Sequence, residues 1–314
     1  MDTTGSPEDL FRENSRSFSL AARFFCPEDQ SAVARLYRFC RYLDDLADDT
    51  ATGDPLRLEQ AKERLLAPDE SPADTIEADF NALAVERSIP IEPALDLIDA
   101  LRADCGERTI QDETELIRFA YGVAGTVGQM MRPVIGARDP RADAFAIDLG
   151  IALQLSNVIR DVAEDAHRGR YYLPATWVGS GKIDDALAGS KEACREVDRA
   201  VSRAFDLADT YYKSAFRGFA YIPKRNRRVI YLATAFYRAI GQKVVSRSPG
   251  GWSARTVVSP FEKLTILLRS PLRYRCLQRR LWQRDPEPEH DAALHEPLAS
   301  GSRQDLFSKT MKTV

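Results

Sequence analysis

The chain has 314 residues, 44% of them hydrophobic and 29% charged, with a formal net charge of −3 and a pI near 5.8. That length suits one large helical domain or two ordinary ones. The slight acidic excess excludes a nucleic-acid binder that works through a basic surface.

Five cysteines, Cys26, Cys40, Cys105, Cys194 and Cys276, are scattered and form no CxxC pair. This argues against a zinc site or disulfide framework and for a reducing compartment. Of the three histidines, His167 stands alone and His290 and His295 sit in a polar tail, so no histidine-based metal site or triad is expected. The first residues carry neither a basic nor an apolar signal region, and no stretch reads as a membrane span. A cytoplasmic protein that at most touches a membrane surface is expected.

Helical periodicity dominates, without a convincing alternating strand pattern. Pro27-Glu-Asp opens a helix whose apolar positions Ala32, Leu36, Phe39, Cys40 and Leu43 recur at three- and four-residue steps. Ser71-Pro-Ala-Asp starts a second helix and Ile91-Glu-Pro a third. A long helical segment runs from Glu113 to Ile135, and Asp139-Pro140 breaks it. The most apolar helix follows, Ala142 to Asp165, and belongs in the centre of the fold. Further helices are predicted at 191–212, 225–245 and 260–269, with a loop at Ser246–Gly251. The stretch from 285 to 314 is rich in Pro, Glu, His, Ser and Gly, and its composition predicts a disordered tail after a domain spanning 1–284.

Two acidic patterns stand out. In Leu43-Asp-Asp-Leu-Ala-Asp-Asp49, Asp44 and Asp48 lie one turn apart on a helix face, with Asp45 and Asp49 beside them. Like charges at this spacing repel by about 0.2–0.5 kcal/mol per pair. Taken alone, the cluster reads equally as a solvated acidic helix end. In the apolar helix, Asn157, Asp161 and Asp165 follow one another at four-residue steps, and Gln154 extends that face. Carboxylates on a core helix need a partner. Hard oxygen ligands from two helices suit Mg²⁺, or Mn²⁺ in its place, bridging to a phosphate, and a buried polar network is the alternative. Metal-bound phosphate becomes a competent leaving group. Arg41 and Arg160 either add guanidinium contacts to that phosphate or balance their acidic neighbours.

The blocks Tyr37-Arg-Phe-Cys-Arg41-Tyr-Leu-Asp44-Asp-Leu-Ala-Asp48 and Gly150-Ile-Ala-Leu-Gln-Leu-Ser-Asn157-Val-Ile-Arg-Asp161-Val-Ala-Glu-Asp165, with Gly169-Arg-Tyr-Tyr-Leu-Pro174, resemble the two aspartate-rich motifs of the squalene/phytoene synthase family. Asn14-Ser-Arg-Ser17-Phe, Tyr121-Gly-Val-Ala-Gly-Thr-Val-Gly128 and Tyr237-Arg-Ala-Ile-Gly241 resemble further blocks in the same order, and the likeness covers residues 10 to 270. One departure is Asn14, where some relatives have a basic residue, so no phosphate contact is assigned there.

The resemblance implies an all-α, single-domain class I isoprenoid synthase bundle around a central cavity. It implies Mg²⁺ ligands at Asp44, Asp48, Asn157, Asp161 and Asp165. Diphosphate contacts would come from Ser15, Arg16, Ser17, Tyr37, Arg41, Gln154, Arg160, Tyr237 and Arg255, with Tyr121 near the cation or, alternatively, a core tyrosine bonded to backbone. The implied reaction joins two prenyl diphosphates head to head through a cyclopropyl diphosphate. The blocks around Tyr121 and Asp161 look most like the bacterial phytoene branch, which implies geranylgeranyl diphosphate as substrate without NADPH. The small residues Ala21 and Ala22 beyond Phe18 leave room for the longer C20 tail. C30 coupling of farnesyl diphosphate is the alternative within the family. A non-catalytic assembly factor on the same fold is an alternative of another class, against which both intact motifs argue. A terpene cyclase is disfavoured because no NSE- or DTE-type triad is found. Arginines 269, 273, 275, 279, 280 and 284 interleave with Leu272, Tyr274, Leu281 and Trp282, so this segment is either a lipid-facing basic amphipathic patch or an ordinary exposed helix.

Overall fold

The computed structural model describes residues 23–48, 53–68, 72–179 and 181–299. In chain order these form α1 (Pro27–Asp48), α2 (Pro55–Leu66), α3 (Ile76–Arg87), α4 (Glu92–Asp104), β1 (Arg108–Thr109), α5 (Glu113–Ala120), one π-helical turn (Tyr121–Gly125) and α6 (Thr126–Val134). Then follow α7 (Ala142–Ala166), β2 (Arg170–Tyr171), α8 (Lys182–Leu187), α9 (Lys191–Gly218), α10 (Lys224–Ser246), α11 (Pro260–Leu277) and α12 (Glu296–Ala299). The all-α expectation holds. The diphosphate contacts expected at Ser15, Arg16 and Ser17 lie outside the described residues, as do Phe18, Ala21, Ala22 and Asp49.

Side-chain caps set several of the helix starts. Asp54 accepts from the Arg57 amide ahead of α2, Thr75 from Ala78 ahead of α3, and Asp112 from Glu115 ahead of α5. Ser259 and Glu262 cap each other's backbone at the start of α11. Each cap supplies a partner for an amide that the helix leaves open, worth about 0.5–2 kcal/mol. The Thr75 cap explains why α3 starts at Ile76 rather than at Ser71. The segment expected to run unbroken from Glu113 to Ile135 is interrupted by the π turn.

α7 is the axis of the bundle, packed against α5, the π turn, α6, α9 and α10. Leu155, Ile151, Ala152 and Ile159 on it are fully buried. By length and composition it could cross a membrane, but 61% of its apolar window is buried inside the protein, as befits a core helix. Two glycines bring it close to its neighbours. A Cβ on Gly150 would stand 2.2 Å from the Ala124 carbonyl oxygen, and one on Gly128 would stand 2.1 Å from that of Ala146. Backbone therefore meets backbone where α7 crosses the π turn and α6, a contact that only glycine permits. One buried apolar cluster gathers around α1–α4, α6 and α10, and another around α5, α7 and α9; Val123, Leu149 and Phe216 pack against both.

Two sequence expectations are corrected. Residues 285–299 are not a disordered tail. They strap back over the bundle, where Tyr221 donates to the Pro288 carbonyl (2.9 Å), Tyr211 to that of Leu294 (2.9 Å) and Arg118 to that of Pro297 (2.8 Å). Composition excludes a core of its own for this segment, but bonds to the bundle replace one. In the basic segment, Tyr274 and Trp282 are buried rather than presented outward, under Arg228 and Arg227 respectively. The exposed apolar side chains are instead Phe261, Leu264, Leu268 and Leu272.

Candidate active site

The last turns of α1 and α7 open onto one cavity of about 240 Å³. Asp44 and Asp48 line it from α1, and Gln154, Asn157, Asp161 and Asp165 line it from α7. The four-residue spacing puts each set on one helix face, and the packing of the two helices turns those faces toward the same space. Leu101, Phe119, Val123 and Val158 supply apolar wall.

The electrostatics show an excess of carboxylate. Burial pushes the Asp44 carboxyl up to about 7, with Arg41 opposing and Asp48 and Asp45 reinforcing the rise. Burial, then Asp161 and Glu164, push Asp165 up to about 7 as well. Arg41 is committed to Asp45 at 2.5 Å. Arg160 grips both oxygens of Asp161, one through Nε at 2.8 Å. Arg255 reaches Glu164 at 3.0 Å and Asp161 at 3.6 Å from the exposed rim.

An oxygen-seeking cation fits this donor set. The Oδ1 of Asn157 is buried with no hydrogen-bond partner among the described residues, while its amide nitrogen donates to Gln154 (3.2 Å). An orphaned acceptor beside crowded carboxyls whose burial and mutual repulsion a cation would relieve is the donor chemistry that Mg²⁺ or Mn²⁺ takes.

Several expected positions fall elsewhere. Tyr121 does not line this cavity. Its hydroxyl, at the start of the π turn, lies 3.4 Å from Asp96 and from Gln129, beside a separate depression. Tyr37 is half-buried two turns before Asp44, its hydroxyl pushed up to about 12 chiefly by burial. Tyr237 is within electrostatic reach of Tyr37 and Arg160. Neither tyrosine contributes to the cavity wall.

Sequence reasoning missed Arg168, Arg170, Asp104 and Tyr172, all of which line the cavity. β1 and β2 pair in parallel, Arg108 opposite Arg170, and this sets Arg170 so that it donates to Asp48 at 2.9 Å. Tyr172, next along, donates to Asp104 at 2.7 Å. Gly169-Arg-Tyr-Tyr was visible as a motif, but its pairing partner lies more than sixty residues away. Asp104, one of four acids on α4 with Glu92, Asp96 and Asp99, gave no signal of its own.

A family model for squalene/phytoene synthase matches residues 11–262. The chain belongs to the squalene/phytoene synthase family. It is 32% identical over 288 residues to a 15-cis-phytoene synthase of Pantoea ananas, covering 88% of this chain and 93% of that protein. It is 34% identical over 269 residues to a phytoene synthase of Pseudescherichia vulneris, covering 82% and 87%. In fold it is similar to a solved dehydrosqualene synthase in complex with ligand, with a TM-score of 0.74 at 24% identity over 86% of this chain and 95% of that one. It is likewise similar to the squalene synthase HpnC from Alicyclobacillus acidocaldarius, with a TM-score of 0.67 at 23% identity, covering 79% and 94%. Membership in the squalene/phytoene synthase family and the all-helical fold it implies are both as the motifs led us to expect.

Proposed function

We propose that this chain is a prenyltransferase that condenses two geranylgeranyl diphosphates head to head to phytoene, in carotenoid biosynthesis. The observation that carries the reading is the meeting of two oxygen-bearing helix faces at one cavity that also has apolar wall. The phytoene synthases among its relatives favour the C20 substrate.

Asp44, Asp48, Asn157, Asp161 and Asp165 would hold Mg²⁺, or Mn²⁺. When bound, the ion supplies Lewis-acid neutralisation of the departing diphosphate. Arg160 and Arg170 lie at the same cavity, each already oriented by a carboxylate, and can turn a guanidinium edge toward phosphate oxygens. Leu101, Phe119, Val123 and Val158 exclude water from the allylic cation while its double-bond partner attacks. No residue is assigned to hydride delivery, and NADPH is not expected for phytoene formation.

Incubation with labelled C15 and C20 diphosphates and Mg²⁺, with and without NADPH, followed by analysis of the extracted hydrocarbon, tests the reading. Phytoene from C20 without NADPH is expected. A C30 product would move the chain to the dehydrosqualene or squalene branch. No hydrocarbon from either substrate would leave the assembly-factor reading.

Membrane contact belongs to the same proposal. Phe261, Leu264, Leu268 and Leu272 recur at three- and four-residue steps along α11 and are at least half exposed. Arg269, Arg273 and Arg275 flank them, which suits an anionic lipid surface that would receive an insoluble product. Flotation with anionic vesicles is expected to carry the protein upward, and a Leu268→Glu, Leu272→Glu variant to remain at the bottom. Equal flotation of both would retire this surface.

A further inference from the structure

A second cluster of metal-ligating side chains lies away from the acid-lined cavity. Asp148, on α7, is fully buried. Two imidazoles from the 285–299 strap converge on it, His290 Nε2 at 2.9 Å from one carboxylate oxygen and His295 Nε2 at 2.8 Å from the other. The ligand atoms of all three residues lie within 4.8 Å of one another. Thirteen residues of helix separate Asp148 from Asp161, about 20 Å at the usual rise, so the two sites are distinct.

We propose that Asp148, His290 and His295 form a binding site for a divalent transition metal of the zinc class, which staples the C-terminal strap to the central helix. Three features carry this. First, both rings present the same nitrogen to one carboxylate. Neighbouring ligand atoms of a tetrahedral ion with bonds of 2.0–2.1 Å stand about 3.3–3.4 Å apart, so a withdrawal of each ring by about half an ångström from its present hydrogen bond would admit one. Second, the ion pairs of Asp148 among the described residues are those with His290 and His295. Ser214 also hydrogen-bonds this carboxylate, and a cation between it and the two rings would offset the cost of its burial. Third, the rings are held in place. His290 stands edge-on to Phe145 with centroids 5.2 Å apart, the two imidazoles are 4.4 Å apart, and the Asp291 side chain caps the turn that delivers His295. The rings are 13% and 21% exposed, so solvent can complete the coordination.

Two imidazoles and one carboxylate select zinc, cobalt, nickel or copper over Mg²⁺, which prefers oxygen alone. The site therefore differs in chemistry from the acid-lined cavity, and it is independent of the reading of that cavity.

The test uses the full chain. Metal content after purification with Zn²⁺ is measured by elemental analysis, and Co²⁺ uptake by its visible absorption in the presence of millimolar Mg²⁺. About one ion per chain is expected, unaffected by Asp161→Asn. His295→Gln is expected to weaken Co²⁺ binding at least tenfold, and His290→Gln with His295→Gln to abolish it. The metal is also expected to raise the melting temperature and to slow proteolysis within 285–299 in the wild type only. The histidines are near the surface, so folding of these variants is checked by circular dichroism. Asp148→Asn serves only as a supporting variant because its site is buried. Absence of stoichiometric Zn²⁺ or Co²⁺ in the wild type overturns the proposal, as does undiminished uptake by the double variant. A lower melting temperature in the double variant without any metal uptake by the wild type would likewise overturn it, leaving a hydrogen-bonded clasp only.

Discussion

Arg170 donates to Asp48 at 2.9 Å across 122 residues of sequence, joining the two-strand ladder to the last turn of α1. The bond orients a guanidinium at the cavity that the family motifs alone would assign to Asp48. Replacing it removes a charged donor worth about 1.5–3 kcal/mol. Arg170→Gln is expected to lower kcat/KM for the prenyl diphosphate by about 10- to 100-fold with the fold intact. Steady-state kinetics with the labelled substrate check this, and an unchanged kcat/KM would reduce Arg170 to a brace for Asp48.

Asp161 is held in place by Arg160 and projects with Asp165 into the cavity. Asp161→Asn keeps the shape and removes the charge. A fall in kcat of about 10²–10³-fold is expected, comparable to losing one electrostatic stabiliser of a transition state. Asn157→Ala, which deletes the orphaned oxygen, should instead raise the Mg²⁺ concentration needed for half-maximal rate. Titrating the metal at saturating substrate separates the two behaviours.

Burial raises the Asp104 carboxyl to about 6, even though the hydrogen bond from Tyr172 and the nearby arginines oppose the rise. In the unfolded chain it would titrate near 3.9. Between those values the folded state holds a proton that the unfolded state has lost. Stability is therefore greatest below about pH 4 and falls as pH rises through 6, by about 2–3 kcal/mol from this group. Asp104→Asn is expected to flatten that part of the stability–pH curve. Urea melts at pH 4 and pH 8 measure it, and an equal slope in the variant would contradict the assignment.

Gly150 faces the Ala124 carbonyl with no room for a methyl group. Gly150→Ala is expected to cost about 1–3 kcal/mol through overpacking and to lower the melting temperature by several degrees. Because the same crossing aims Gln154 and Asn157, activity should fall further than stability alone explains. Calorimetry beside a kinetic assay distinguishes the two effects.

Much of the bundle was legible because long amphipathic helices repeat their pattern locally. The Asp44–Asp48 and Asn157–Asp161–Asp165 ribbons were legible for the same reason, since one helix face is a property of spacing. What escaped was settled by contacts distant in sequence. Two-residue strands such as Arg170–Tyr171 are too short to show alternation, so the placement of Arg170 was invisible. α2 went unnoticed despite the Asp54-Pro55 start, because its apolar face is narrow: Leu58, Ala61 and Leu65 are its buried residues. The π turn that carries Tyr121 was also invisible, because nothing in Tyr-Gly-Val-Ala-Gly announces one. His290 and His295 looked like tail residues until the chain folded back to Asp148.

α1 ends on Asp48, and α7 ends one residue after Asp165, with no basic side chain in the last turn of either helix. Each helix thus places carboxylates at the negative pole of its own macrodipole, where they are disfavoured by about 0.3–1 kcal/mol apiece. Two such poles meet at one opening. The carboxylates there outnumber the arginines Arg41, Arg160, Arg168 and Arg170 on the same wall, so a diphosphate accompanied by metal ions would be received more readily than a naked one. If the proposed metal binding holds, the rate is expected to depend on the metal-to-substrate ratio, a consequence of how these two helices stop.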